Sequence, residues 1–209
     1  MGALIDLTSG DKNEHLSHAL KAIRDGYVIA APLEHSYVFL ADAFNHDAVR
    51  TMHAMRKDPL GVAAQVLVGS VNTLNGIARE ITPEAQQLIE KFWPGLLTMN
   101  LSPQVGLNWD LGDDRRLEKI SVRIPSHGFV FELLQQSGPL AVASAGKAGE
   151  GPLADHQKIS VREIDLAATY SFGVLSDGPL TTVVNVSQDG IEILREGAIS
   201  KELLFKDKA

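Results

Sequence analysis

Two arginines stand at or just past stretches that read as strands, Arg123 in Ser121-Val122-Arg123-Ile124-Pro125 and Arg195 in Ile193-Leu194-Arg195-Glu196-Gly197, while Ser144 opens the small-residue run Ser144-Ala145-Gly146. Two guanidinium groups at strand ends and a hydroxyl on a Gly-rich loop are together parts for holding an anion. The aromatic-proline turn in Phe92-Trp93-Pro94-Gly95-Leu96-Leu97-Thr98 belongs to the same series, although Trp93 itself reads as a helix stop packed against a sheet. Commoner chemistries lack their parts. The chain has no cysteine, so thiolate nucleophiles, disulfides and thiolate-bound zinc are excluded. It carries neither a G-x-x-x-x-G-K loop nor a G-x-G-x-x-G turn. Its histidines (His15, His18, His35, His46, His53, His127 and His156) form no H-x-x-x-H or H-E-x-x-H pair, so no metal site is expected. Ser144 lacks the G-x-S-x-G elbow of a serine nucleophile and reads as a ligand contact or a turn cap.

The elements that must position these residues follow from periodicity. Asp11 and Glu14 open a helix whose Leu16, Leu20 and Ile23 share a face until Gly26. Tyr27 to Ala31 reads as a buried strand ending at Pro32, Asn45 to Arg56 as a helix, and Gln65 to Val68 as the next strand. Thr82-Pro83-Glu84 combines a capping hydroxyl, a proline at the first helical position and an acid in the first turn. Strands are expected at Leu97 to Leu101, Ile120 to Ile124 and Leu140 to Ala143, with a helix over Phe129 to Gln136. Val183 to Val186 and Ile191 to Leu194 form a hairpin around Asp189-Gly190. The charged stretch Pro103 to Lys119 reads as an exposed loop. Strict βαβ repetition fails in the second half, so the expected fold is α/β, a twisted mixed parallel and antiparallel sheet with flanking helices.

With 209 residues and 44% hydrophobic content, the chain suits one domain, expected over residues 1–200, with a charged tail at 201–209. A formal charge of -7 opposes nonspecific binding to polyphosphate or membrane surfaces, so an anion must be held by local groups. The N-terminus resembles neither a secretory signal nor a membrane span, and a cytoplasmic protein without membrane association is expected.

As an ordered series, Pro32 to Tyr37, Arg56, Trp93-Pro94-Gly95, Arg123-Ile124-Pro125, Ser144-Ala145-Gly146, Thr181-Thr182-Val183-Val184 and Arg195-Glu196-Gly197 resemble the YrdC/YciO family along nearly the whole chain. The resemblance implies a sheet twisted around one concave groove. It also implies synthesis of L-threonylcarbamoyladenylate: L-threonine, bicarbonate and ATP give threonylcarbamoyl-AMP and diphosphate, which supports threonylcarbamoyladenosine modification of tRNA. ATP would arrive with Mg2+ as a substrate complex. By resemblance, Arg56, Lys57 and Ser144 are the catalytic residues, and Arg123, Ser144, Thr181, Thr182 and Arg195 bind the nucleotide. Pro32 and Tyr37 shape the amino-acid pocket.

Departures from the family pattern define a second expectation. Where the family reads P-T-D-T-V-Y-G-L, this chain has Leu33, Glu34, His35 and Val38 among the replacements, and the second cation of K-x-R becomes Asp58. Gly146, Ala148 and Asn185 also replace polar family residues. The eroded K-x-R resembles the YciO-like side of the family. An acid beside a triphosphate would oppose binding by about 1 to 4 kcal/mol at 4 to 6 Å in a polar environment. The alternative reading is a noncatalytic paralogue whose groove binds a nucleotide, tRNA or double-stranded RNA.

Overall fold

The computed structural model describes residues 2–161 and 166–206. Its strands are β1 (Ala3–Asp6), β2 (Ile29–Leu33), β3 (Ser36–Asp42), β4 (Gln65–Leu67), β5 (Ala78–Arg79), β6 (Leu97–Pro103), β7 (Ile120–Arg123), β8 (Leu140–Ser144), β9 (Ala168–Ser171), β10 (Thr182–Ser187) and β11 (Gly190–Arg195). Its helices are α1 (Lys12–Arg24), α2 (His46–Arg56), α3 (Val71–Ile77), α4 (Pro83–Phe92), α5 (Phe129–Ser137) and α6 (Lys201–Leu204). The strands lie in the order β1-β9-β2-β3-β8-β4-β7-β6-β10-β11, with β5 paired to β6. Parallel pairs (β1 with β9, β2 with β9, β4 with β7, β6 with β10) are combined with antiparallel ones, the mixed sheet expected from the sequence.

Period-two alternation builds a core on each face. In β3, Tyr37, Phe39 and Ala41 face one core, against Val49 and Met52 of α2, Leu74 of α3 and Leu88 of α4. Val38 and Leu40 face the other, against Leu16, Leu20 and Ile23 of α1 and Leu133 and Leu134 of α5. Helix starts follow local rules. Asp11, Asn45, Ser70 and Thr82 each accept a first-turn amide through the side chain, and Pro83 occupies the position where its missing N–H costs nothing.

Three expectations need correction. Pro32 does not end its strand but lies within β2, paired antiparallel with Tyr37, and the strand turns over only after Leu33. The stretch Pro103 to Lys119 is not simply exposed: Trp109, Asp110 and Leu111 are buried, and the Leu111 carbonyl accepts from the Ala64 amide at 2.7 Å. Lys201 to Leu204 is a helix capped by Ser200, with Leu204 buried in the core, so the charge of this segment masks an amphipathic anchor. The remainder of the expected tail, 207–209, lies outside the described residues.

Candidate functional site

Residues from the carboxyl ends of β2 and β8, which run in the same direction, and of β7, which runs opposite to both, converge at one place on the sheet. A cavity of about 500 Å³ lies there. Its walls come from the β2–β3 turn, from Gln65 and Arg123, from Val142 to Ser144, and from a segment ending in Thr181 that crosses to Arg195. Arg123, Ser144, Thr181 and Arg195 are thus brought together from separate parts of the sequence.

Arg123 leaves the end of β7 almost wholly buried. Its Nη1 and Nη2 donate to the two carboxylate oxygens of Glu34 at 2.8 and 2.9 Å, and Nη1 also donates to the Gly95 carbonyl. Glu34 sits in the β2–β3 turn with φ 45° and also accepts the Ser126 amide at 2.8 Å. The β2–β3 turn is thereby tied to the end of β7. The Nε of Arg123 is buried with no hydrogen-bond partner among the described residues. The acid of the β2–β3 turn therefore serves as the counterion of the arginine most deeply set in the cavity wall.

Arg195 extends from the end of β11 and donates through Nε to the Thr181 carbonyl (3.0 Å) and through Nη2 to Thr181 Oγ1 (2.7 Å). Thr182, the neighbouring residue, turns the other way. Its buried hydroxyl donates to the Ile199 carbonyl and accepts from the Gly197 and Ile199 amides at 3.0 and 2.9 Å. Gly197 allows this approach, since a Cβ there would lie 2.4 Å from the Leu180 carbonyl oxygen. Thr182 thus shapes the turn that carries Arg195 instead of facing the cavity.

Ser144 ends β8, and its Oγ accepts a long contact of 3.4 Å from the Gly146 amide. No acceptor for its hydroxyl hydrogen is found among the described residues. Glu34, His35, Ser36 and Asp177 add polar atoms, while Leu33, Val38, Leu96 and Val142 give apolar lining. His35 lies against Gly178: a Cβ on Gly178 would fall 2.2 Å from the ring, and His35 Nδ1 lies 3.2 Å from the Ser176 carbonyl. Gln65 is oriented by donating to Thr98 Oγ1 at 2.8 Å.

The expected placement of five further residues is corrected. Pro32 and Tyr37 form a register pair on the face opposite Val38, because one residue's step along a strand reverses the side chain. The Tyr37 hydroxyl is consumed by the Gly173 carbonyl (2.6 Å), Ser171 Oγ (3.0 Å) and the Phe172 amide (3.2 Å). Arg56 points inward, donating to the carbonyls of Ser144 and Gly146 and to Asp58. Lys57 caps α2 in the left-handed region and is not among the cavity walls. Asp58, expected to face a triphosphate, is buried between Arg56 and His53. The reason is the chain reversal at Lys57, which folds Asp58 back so that its amide bonds the His53 carbonyl at 3.1 Å.

Sequence reasoning missed His53, Gln65, Asp177 and Gly178. A glycine in a loop and a histidine outside any ligand spacing carry no signal of their own, because their partners come from distant segments.

A family profile, Sua5/YciO/YrdC, described as "Telomere recombination", matches residues 21–197. A protein of Mycobacterium tuberculosis provisionally named threonylcarbamoyl-AMP synthase is 32% identical over 189 residues, covering 88% of this chain and 84% of its own length. The structure of Pyrococcus abyssi Sua5 complexed with L-threonine superposes with a TM-score of 0.86 at 24% identity, over 99% of this chain. This chain spans 60% of that larger protein. Escherichia coli YciO superposes with a TM-score of 0.83 at 20% identity, covering 98% of each chain. The structural likenesses establish the fold, and the profile match along most of the sequence places this chain in the Sua5/YciO/YrdC family.

Proposed function

We propose that this chain is a threonylcarbamoyl-AMP synthase, converting L-threonine, bicarbonate and ATP into threonylcarbamoyl-AMP and diphosphate. One observation carries the reading: Arg123, Ser144, Thr181 and Arg195 line a single cavity in a chain whose relatives bear that activity in their names. At about 500 Å³ the cavity has the size of a small-molecule site. The threonine amine and bicarbonate condense to a carbamate with loss of water; a carbamate oxygen then attacks the α-phosphorus, and diphosphate leaves. Neither step requires a protein nucleophile, so positioning and charge neutralisation carry the catalysis. Ser144 Oγ and the Arg195 guanidinium are the donors for phosphate or carbamate oxygens. The Glu34–Arg123 fork supplies a rigid, charge-balanced wall. Mg2+ enters with ATP as part of the substrate. The product supports tRNA modification, which fits a cytoplasmic enzyme, and no described helix is long and apolar enough to cross a membrane.

A specific observation also favours a weaker enzyme or a nucleotide-binding paralogue. Arg56 is committed to the protein interior and Arg123 to Glu34, leaving Arg195 as the one cavity-lining arginine with no carboxylate partner among the described residues. Incubation of the purified chain with ATP, L-threonine and bicarbonate, with direct detection of the adenylate and diphosphate, separates the two. Product that requires all three substrates supports the synthase. Saturable ATP binding with no product supports the paralogue.

A further inference from the structure

The largely buried cluster formed by the side chains of His53, Arg56 and Asp58 bonds through Arg56 to the loop that follows Ser144. Asp58 Oδ2 accepts from Arg56 Nε at 2.9 Å and contacts His53 Nδ1 at 2.8 Å. His53 Nε2 lies 2.8 Å from the Leu111 carbonyl, so the ring spans from Asp58 to the buried part of the 103–119 segment. There is no slack at this end: a Cβ on Gly112 would fall 2.4 Å from His53 Nε2. The other end of Arg56 donates from Nη1 to the carbonyls of Ser144 and Gly146, the latter at 2.7 Å, and its backbone carbonyl accepts the Ala148 amide at 2.9 Å.

The Ser144 and Gly146 carbonyls of the loop after β8 are therefore held by one guanidinium whose own direction is fixed by Asp58, while the Ala145 amide is tied separately to the Tyr37 carbonyl at 3.0 Å. A side chain with four rotatable bonds holds two carbonyls in place only when its far end is anchored, and Asp58, 6% exposed at the side chain, is that anchor. We propose that His53 and Asp58 are positioning residues for adenylate formation: through Arg56 they fix the Ser144–Gly146 loop and thereby aim the Ser144 hydroxyl into the cavity. The inference rests on the synthase reading for its catalytic consequence, but its mechanical content stands apart from it. It also gives Asp58 a role opposite to the repulsion expected from its sequence position.

The test uses the full chain and three variants, Asp58→Ala, Asp58→Asn and His53→Ala, each followed by amide hydrogen exchange and by adenylate kinetics. With Asp58→Ala, the amides of residues 145–148 should exchange about tenfold faster than those of the central strands do relative to the parent, the scale expected when a charge-assisted hydrogen bond is lost locally. The kcat should fall by about tenfold with KM for ATP changed less than about threefold, since aim is lost more than ground-state binding. Asp58→Asn keeps an acceptor for Arg56 Nε and should recover most of both losses. His53→Ala keeps the Arg56–Asp58 pair and should be intermediate, which preserves the test if Asp58→Ala does not fold. Parent-like exchange at 145–148 in folded Asp58→Ala or His53→Ala overturns the proposal, as does a loss that Asp58→Asn fails to relieve. A parent protein that forms no adenylate defeats the synthase reading alone, because the exchange measurement still decides whether the cluster fixes the loop.

Discussion

Arg123 and Glu34 meet fork to fork, two N–H groups on two carboxylate oxygens at 2.8 and 2.9 Å, with side chains only 4% and 11% exposed. A pair so buried gains little net stability over an apolar substitute, yet loses heavily when one partner goes, because the other charge stays behind uncompensated. Arg123 is therefore as much a fastener of the β2–β3 turn as a ligand group.

The first prediction follows. Glu34→Gln and Arg123→Met should each destabilise the fold, by about 3 kcal/mol or more, whereas the double variant should lose less than the sum of the two. Urea unfolding of all four proteins measures this. Additive losses would mean that the two side chains do not interact energetically.

How much was legible depends on the distance over which each feature is decided. Thr82-Pro83 and the Asp189-Gly190 hairpin are fixed by neighbours within a few residues, and both elements form where periodicity places them. Arg123, Ser144 and Arg195 were readable as a series because each closes or follows a recognisable strand, whereas Thr181 was placed in the nucleotide pocket only by the family resemblance. The bond between Arg123 and Glu34 joins positions 89 residues apart, and nothing local announces it. Tyr37 shows the finer limit: the strand around it is evident, but the face it takes depends on a one-residue register that only pairing with β2 and β8 determines. Trp109 and Leu111 are hidden in a run dominated by charge, and only the tertiary fold reveals that they are inside.

Tyr37 yields the second prediction. Tyr37→Phe removes the hydroxyl that serves Gly173, Ser171 and Phe172, leaving partly buried backbone groups without that partner, and should cost about 1 to 3 kcal/mol of stability. Because the ring lies on the face away from the cavity, KM for L-threonine should stay within about twofold of the parent. A selective rise in that KM with unchanged stability would put Tyr37 back in the amino-acid pocket.

Acid stability provides the third. Burial opposes ionisation of Asp110, but the Gly112 amide and the Arg50 guanidinium, with a smaller contribution from His46, more than offset it and hold the carboxyl below its usual range. A depressed folded-state value contributes stability that is fully present above the unfolded value, near 4, and that is lost as pH falls through the folded value. Asp110→Asn should therefore flatten the acid limb of the stability curve below about pH 4 and cost about 1 to 2 kcal/mol at neutral pH, the exposed Arg50 limiting the loss. Thermal unfolding between acidic and neutral pH checks it; an acid limb of unchanged slope would show that other carboxylates govern it.

The last prediction concerns the contact between His35 and Gly178. The segment that crosses from Ser176 to Thr181 forms part of the cavity wall, and His35 rests where any side chain on residue 178 would have to go. Gly178→Ala must expel the imidazole, since a Cβ would lie 2.2 Å from its Cδ2, and the ring, only partly buried, can swing aside without disturbing the core. Stability should therefore change by less than about 1 kcal/mol, while the displaced ring crowds or opens the cavity and shifts ligand affinity. The effect on binding should be at least about threefold, and it should shrink when His35→Ala is added, because the alanine methyl then occupies space the ring has left. Calorimetric titration with AMP across the parent, the two single variants and the double variant separates the contributions. Affinities that simply multiply across the double variant would show that His35 and Gly178 touch without jointly shaping the cavity.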